Sequence, residues 1–294
     1  EAMVCAELPD FVRQHRVQGH VVLPATAYLD TLLAAGRAAW HGQAVAVDDV
    51  VIREAMVLAD EAGERIVQTQ CEPMADGARA VSISSQPQTA EVDGAWVMHV
   101  SARLRPAPAA AAQAIELPAL RQRCAESITP ADFYADFARR GLDFGPGFRA
   151  LRQIRRGAGE ALGEVVLLDE LAADGGGYLM HPVLLDGCLQ LLAAALPTGG
   201  DDELFLPIGI GRYTLHRGGA RRCWSHVTVV AGDSADTRRA DLRICDDDGA
   251  LLAELQGLQL KRVDRDALAR LGDRWLDACL YETRWIDAAP AAQL

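Results

Sequence analysis

Two long apolar stretches, each followed by alternating segments, organise this chain. In residues 23–40, LPATAYLDTLLAAGRAAW, apolar side chains recur at helical spacing behind Pro24, which suits a first helical position. The runs at 44–58, 64–73, 78–87 and 95–106 that follow predict the strands of an antiparallel meander. A Pro/Ala-rich stretch at 105–120 interrupts the pattern and reads as a linker. The second half then offers a short helix at 130–141, a turn-rich LDFGPGF at 142–148, a strand near 161–168, the apolar helix HPVLLDGCLQLLAAAL at 181–196, and strands near 204–217, 222–231, 238–246 and 250–263. Pro24 and Pro182 each precede a Leu-Leu-Ala-Ala run. A long apolar helix followed by several long strands, twice over, is what two antiparallel sheets each wrapped around a central helix require, an α+β fold.

One carboxylate breaks the second apolar stretch. From Val183 onward the strongly polar residues are Asp186 and Gln190, four apart and therefore on one helical face. Asp is almost never fully buried unless it is paired or has a task. Two readings are open here: an anion held near the first turn by free N–H groups and the macrodipole, or a general acid whose proton affinity rises in apolar surroundings, with Gln190 holding it.

Composition narrows the classes. The 294 residues are 50% hydrophobic, 24% charged and 5% aromatic, an ordinary globular mixture. A net charge of −12 argues against nucleic acid or an anionic membrane as the main partner. Lys261 is the single lysine, a bias we assign with the Ala runs to GC-rich codon usage. The cysteines at 5, 71, 124, 188, 223, 245 and 279 form no CxxC pair, so neither a disulfide framework nor a zinc knuckle is expected and the compartment should be reducing. No signal-like start and no membrane-length apolar run occur, and a cytoplasmic location is expected.

Three motifs carry chemistry. His15, Gly19 and Pro24 in HRVQGHVVLP have the form HxxxGxxxxP; GLDFGPGF at 141–148 approaches GYxYGPxF; and HPVLLDGCLQ supplies DxxxQ behind a His-Pro pair. In this order they resemble the dehydratase domains of modular type I polyketide synthases, over roughly residues 5–265. The resemblance implies a double hotdog, with an N-terminal hotdog at 1–108, a linker at 109–128, a C-terminal hotdog at 129–265 and, from 266 to 294, a segment leading to the next synthase domain.

It implies a hydro-lyase that converts a 3-hydroxyacyl thioester on an acyl carrier protein to the 2,3-enoyl thioester during polyketide extension, in secondary metabolism such as antibiotic biosynthesis. His15 matches the base, Asp186 the acid and Gln190 the residue bonded to the acid; Gly19, Pro24 and His181 support them. Val17, Phe144, Gly145, Pro146, Phe148, Leu185, Leu206 and Pro207 are expected to bind substrate, and backbone amides near Gly19 or at a central helix start to meet the thioester oxygen. No metal or redox cofactor is implied beyond the carrier's phosphopantetheine. A homodimer and contacts with neighbouring synthase domains are expected, with Arg212, Arg217, Arg221 and Arg222 as a candidate carrier-docking patch. Alternatives with the same fold are a double-bond isomerase or pyran-forming cyclase, a noncatalytic structural module, and a hotdog thioesterase.

The chain departs from the motifs at Leu142 and Phe144, where the family carries tyrosines, and only 14 residues precede His15, which leaves part of the first sheet or of a dimer contact in question. Elsewhere, His20 and His181 read as structural, Asp30 as facing solvent or a sheet edge, and Asp246–Asp248 before Gly249 as a hairpin turn.

Overall fold

A computed structural model of the protein describes residues 1–58, 64–88, 96–107, 113–173, 177–196, 204–231, 234 and 236–263. The tail expected from 266 lies outside these residues, as do 109–112 of the expected linker.

The first half runs β1 (Ala2–Val4), β2 (His15–Val17), β3 (His20–Val22), α1 (Ala25–Ala39), β4 (Val45–Ile52), β5 (Val57–Leu58), β6 (Arg65–Pro73), β7 (Arg79–Pro87) and β8 (Val97–Pro106). The second runs α2 (Leu117–Arg123), β9 (Glu126–Ile128), α3 (Pro130–Arg139), β10 (Leu142–Phe144), β11 (Leu151–Arg156), β12 (Glu160–Val166), α4 (Asp169–Ala173), α5 (Pro182–Gln190), α6 (Leu192–Ala195), β13 (Leu204–Leu215), β14 (Arg222–Ala231), β15 (Thr237–Cys245) and β16 (Leu251–Val263). This is the double hotdog, with the two sheets fused. β4 pairs with β13, so twelve strands form one antiparallel sheet in the order β1-β6-β7-β8-β4-β13-β16-β15-β14-β12-β11-β9. A strand does precede His15: β1 pairs with β6 at the sheet edge.

The two central helices are buried to different degrees. α1 buries Tyr28, Leu29, Leu32 and Leu33 together with Thr26 and Asp30 against β4, β8 and α5 while Thr31, Ala34, Arg37 and Ala38 stay exposed, whereas all nine residues of α5 are buried. Asp30 therefore does not face solvent. Its Oδ1 accepts N–H groups of Leu179 and Met180, at 2.8 and 3.1 Å, tying α1 to the turn that leads into α5. Burial raises its proton affinity and those two hydrogen bonds oppose the rise.

The run expected as one strand at 44–58 splits. β4 carries a bulge around Asp49, at φ +52°, and the chain then leaves the large sheet for a second, four-stranded one ordered β10-β2-β3-β5. The apolar helix at 181–196 is likewise interrupted at Leu191, between α5 and α6. Pro24 stands one position outside α1, as its extended N-cap residue, rather than at its first helical position.

The end of the expected linker is folded. Ile115, Leu117, Leu120 and Cys124 pack on Leu162, Trp224, Cys245 and Leu251, and Arg123 makes a two-pronged ion pair with Glu160 at 2.9 and 2.8 Å. The hairpin reading of 246–249 holds: Asp246 accepts the amides of Asp248 and Ala250, and Gly249 takes φ +82°. No described helix is long and apolar enough to cross a membrane.

Candidate active site

The four-stranded sheet crosses between the halves and carries the first functional side chain. Val17 pairs with His20, which leaves Gln18 and Gly19 as a two-residue hairpin turn with φ of +50° and +79°. Positive φ at both central positions is the signature of a type I′ turn, and glycine adopts it without a Cβ penalty. Gly19 thus shapes the hairpin, and it is not among the residues that line the cavity described below. β10 pairs with β2 on the other side, setting Phe144 opposite His15.

The His15 ring packs between these strands, with centroids 5.5 Å from Phe144 and 5.1 Å from Phe148. Its Nδ1 lies 2.8 Å from the Val22 carbonyl oxygen. A carbonyl can only accept, so Nδ1 carries the proton and, in the neutral ring, Nε2 presents a lone pair.

α5 supplies the second group. Its start is capped by His181, whose Nδ1 accepts the Val183 N–H at 3.2 Å, with Pro182 in the first turn where no N–H is missed. Asp186 sits in the next turn, and its hydrogen-bond partner is Gln190 rather than the amides of the helix start. The cap reading of Asp186 is corrected on that ground. At Gly187 an added Cβ would stand 2.6 Å from a Val165 methyl, so glycine lets α5 lie directly on β12.

Asp186 and Gln190 are 8% and 6% exposed. Gln190 Nε2 donates to Asp186 Oδ2 at 2.8 Å and to the Phe148 carbonyl at 3.0 Å, while Gln190 Oε1 accepts from the Tyr134 hydroxyl at 3.0 Å. The Tyr134 oxygen accepts in turn from the Leu151 amide at 3.1 Å. The chain of donors has one direction, and it fixes which end of the amide faces the carboxyl. Burial pushes the Asp186 proton affinity up, opposed by the nearby His15 and by the Gln190 hydrogen bond.

His15, Asp186 and Gln190 share one cavity of about 190 Å³. Of the residues expected to bind substrate, Val17, Phe144, Leu206 and Pro207 line it. Phe148, Leu185, Gly145 and Pro146 do not. Phe148 and Leu185 are buried in the core, and Phe148 acts through its ring on His15 and its carbonyl on Gln190. Gly145 and Pro146 belong to a turn whose Gly145 and Gly147 amides are held by the Gln14 carbonyl and side chain, at 2.8 and 2.6 Å. Ala25, the first residue of α1, also lines the cavity, and that helix start has no side-chain cap. Tyr134 escaped the sequence reading because it is one of several aromatics in an amphipathic helix. Among the described residues no group of three or more His, Cys, Asp or Glu could hold a metal.

Comparison with known proteins gives this geometry a family. The polyketide synthase dehydratase domain family matches residues 3–86, and the family described as polyketide synthase dehydratase N-terminal domain matches residues 112–270. The chain belongs to the polyketide synthase dehydratase domains. It is 30% identical, over 98% of its length, to a phenolphthiocerol/phthiocerol polyketide synthase polypeptide of Mycobacterium tuberculosis, and spans 16% of that relative. Polyketide synthase ThaG of Burkholderia thailandensis is also 30% identical over 95% of the chain, which spans 5% of it. Among solved structures, the dehydratase domain from the CurF module of curacin polyketide synthase is 28% identical with a TM-score of 0.82, covering 90% of this chain and 92% of its own. That of the CurK module is 29% identical with a TM-score of 0.81, covering 91% of this chain and 92% of its own. CurK is also represented by histidine-to-phenylalanine and aspartate-to-asparagine mutants, both described as inactive. The dehydratase described here is a hydro-lyase with the double-hotdog fold of those domains.

Proposed function

We propose that this site removes water from a 3-hydroxyacyl thioester presented on the phosphopantetheine arm of an acyl carrier protein, with His15 as base and Asp186 as acid. One observation carries the assignment of roles: a histidine with its Nε2 lone pair available and a carboxyl of raised proton affinity line the same largely apolar cavity. The inactivity of a histidine and an aspartate mutant of CurK supports the same pairing.

His15 Nε2 takes the C2 proton, whose electron pair moves toward the thioester carbonyl and then forms the C2–C3 double bond. Asp186 gives its proton to the departing C3 hydroxyl, which leaves as water. Donation from Gln190 to Oδ2 leaves Oδ1 as the oxygen that carries the transferred proton, and it stabilises the carboxylate once the proton has gone. The thioester oxygen gains charge during this step. Backbone N–H groups in the uncapped first turn of α1, beginning at Ala25, suit it better than those of α5, where Pro182 has no N–H and the Val183 amide is occupied by His181. The chemistry requires no metal or redox cofactor.

The carrier protein, neighbouring synthase domains, a homodimer and a cytoplasmic setting belong to the same proposal, as does the division into an N-terminal hotdog at 1–108 and a C-terminal one at 129–265. The arginine patch is a weaker candidate for docking than the sequence suggested. Arg212 pairs with Asp48 at 2.6 Å, Arg222 with Glu164 at 2.6 Å and Arg217 with Asp246, while Arg221 lies 3.4 Å from the Ala172 carbonyl.

The test is product analysis with two racemic 3-hydroxyacyl pantetheine thioesters, one of which bears a second hydroxyl placed to close a pyran ring after dehydration. A product lighter by one water with enoyl absorbance is expected. Free acid would make the protein a thioesterase, the dehydrated mass without enoyl absorbance a cyclase, and unchanged substrate a noncatalytic module.

A further inference from the structure

One polar group on the cavity wall has no part in the reaction as derived so far. The polar residues among the described lining are His15, Tyr28, Arg140, Asp186 and Gln190. His15 and Asp186 carry the chemistry, Gln190 commits both ends of its amide to Asp186, Phe148 and Tyr134, and Arg140 pairs with Asp136 at 2.7 Å. Tyr28 is 3% exposed, and its buried hydroxyl has no hydrogen-bond partner. Its ring stacks on His99, which is itself held by Ser85 and the Glu54 carbonyl. The Met56 amide stands beside the phenol oxygen, and the Met56 carbonyl is taken by the Leu23 N–H at 3.0 Å. What the hydroxyl lacks is an acceptor for its proton, which burial makes harder to lose.

The place of the hydroxyl selects the part of a substrate that it meets. In the small sheet β3 separates β2, which carries His15, from β5, which begins next to Met56. At ~4.8 Å between neighbouring strands, the backbones at His15 and Met56 are about 10 Å apart. The thioester oxygen sits on the carbon next to C2, whose proton His15 takes, and so stays close to His15. The pantetheine arm leads back to a carrier in solvent, whereas the Tyr28 hydroxyl is buried in the wall. Resting on the dehydratase reading of the site, we propose that Tyr28 is a specificity-determining residue whose hydroxyl donates a hydrogen bond to an oxygen on the acyl chain beyond C3. A chain extended two carbons at a time bears such oxygens at C5 or C7, as the hydroxyl or ketone that an earlier round left in place. The reaction class that supplies this substrate is therefore a round that stopped at the ketone or at its reduction to the alcohol, short of dehydration.

The experiment measures kcat/KM, by dehydrated product mass, for 3-hydroxydecanoyl, 3,5-dihydroxydecanoyl and 3,7-dihydroxydecanoyl pantetheine thioesters, on the whole chain and on its Tyr28→Phe variant. Loss of the hydroxyl should lower the value for one of the dihydroxy substrates about tenfold, while the 3-hydroxydecanoyl value stays within about twofold. The melting temperature of Tyr28→Phe should not fall, because the hydroxyl closes no bond within the protein. Equal losses on all three substrates, with or without a lower melting temperature, would overturn the inference, since they would assign the hydroxyl to the fold or to the thioester and pantetheine oxygens that all three share. No loss on either dihydroxy substrate would overturn it as well. Turnover of none of the three by the parent would overturn the dehydratase reading on which the inference rests.

Discussion

The Tyr134 hydroxyl donates to Gln190 Oε1 at 3.0 Å, and Gln190 in turn donates to Asp186, so a tyrosine on α3 fixes the orientation of the amide that holds the carboxyl. Loss of one such hydrogen bond is worth ~1 kcal/mol, so Tyr134→Phe should lower kcat about five- to tenfold. Gln190 donation favours the Asp186 anion; a freed amide holds it less well, and Asp186 should keep its proton to higher pH. The alkaline limb of the kcat profile should therefore move upward. Parental kcat and an unshifted profile would contradict the orienting role.

Asp30 should matter in a way its place in the sequence conceals. Its carboxylate holds two amides at the turn into α5. Asp30→Ala leaves both without an acceptor and should cost on the order of 1–3 kcal/mol in urea unfolding. Asp30→Asn keeps a side-chain oxygen and should recover most of that loss. Equal effects of the two variants would show that the hydrogen bonds contribute little.

What the sequence made legible, and what it hid, follows from local contrast. Asp186 and Gln190 stood out because they interrupt an otherwise apolar run, and His15 because of its spacing to Gly19 and Pro24. Asp30 was misread because the buried face of α1 is wide, running from Tyr28 and Leu32 through Leu29 and Leu33 to Asp30 at its edge, so a polar residue there does not mark a solvent face. The small sheet was missed because its strands are two or three residues long and β10 and β2 come from opposite halves of the chain; no period develops over such lengths. Tyr134 matters through partners 17 and 56 positions away, a relationship no local pattern carries.

Burial of Asp186 should cost stability that the protein retains for function. Asp186→Leu abolishes dehydration but should leave the melting temperature equal or higher, since the larger side chain can extend into the cavity that Asp186 lines. The folded-state proton affinity of Asp186 is raised, so its stabilising contribution is present below the unfolded carboxyl pKa of about 3.9 and is lost as pH rises through the folded value. The advantage of Asp186→Leu should therefore widen from acid toward neutral pH. A large drop in melting temperature at neutral pH would contradict this account.

His99 should give the opposite pH dependence. Its Nδ1–H donates to the Glu54 carbonyl at 2.9 Å, Nε2 of the neutral ring therefore accepts from the Ser85 hydroxyl at 2.7 Å, and burial pushes its pKa down to about 4. A depressed histidine contributes stability above its unfolded pKa of about 6.5 and loses it as pH falls through the folded value. Relative to His99→Gln, the parent should lose on the order of 1–3 kcal/mol between pH ~7 and ~4. Parallel stability curves for the two proteins would show that His99 does not titrate as burial requires.

The pairing of His15 with Asp186 is tested most directly by dehydration rates of His15→Ala, Asp186→Ala and the double variant on one 3-hydroxyacyl pantetheine thioester. Each single change should lower kcat by about 100-fold or more, as removal of a positioned acid or base does. The double variant should be scarcely slower than either single one, because the two groups act on one transition state. Single variants within a few-fold of the parent, or losses that multiply in the double variant, would contradict the assignment.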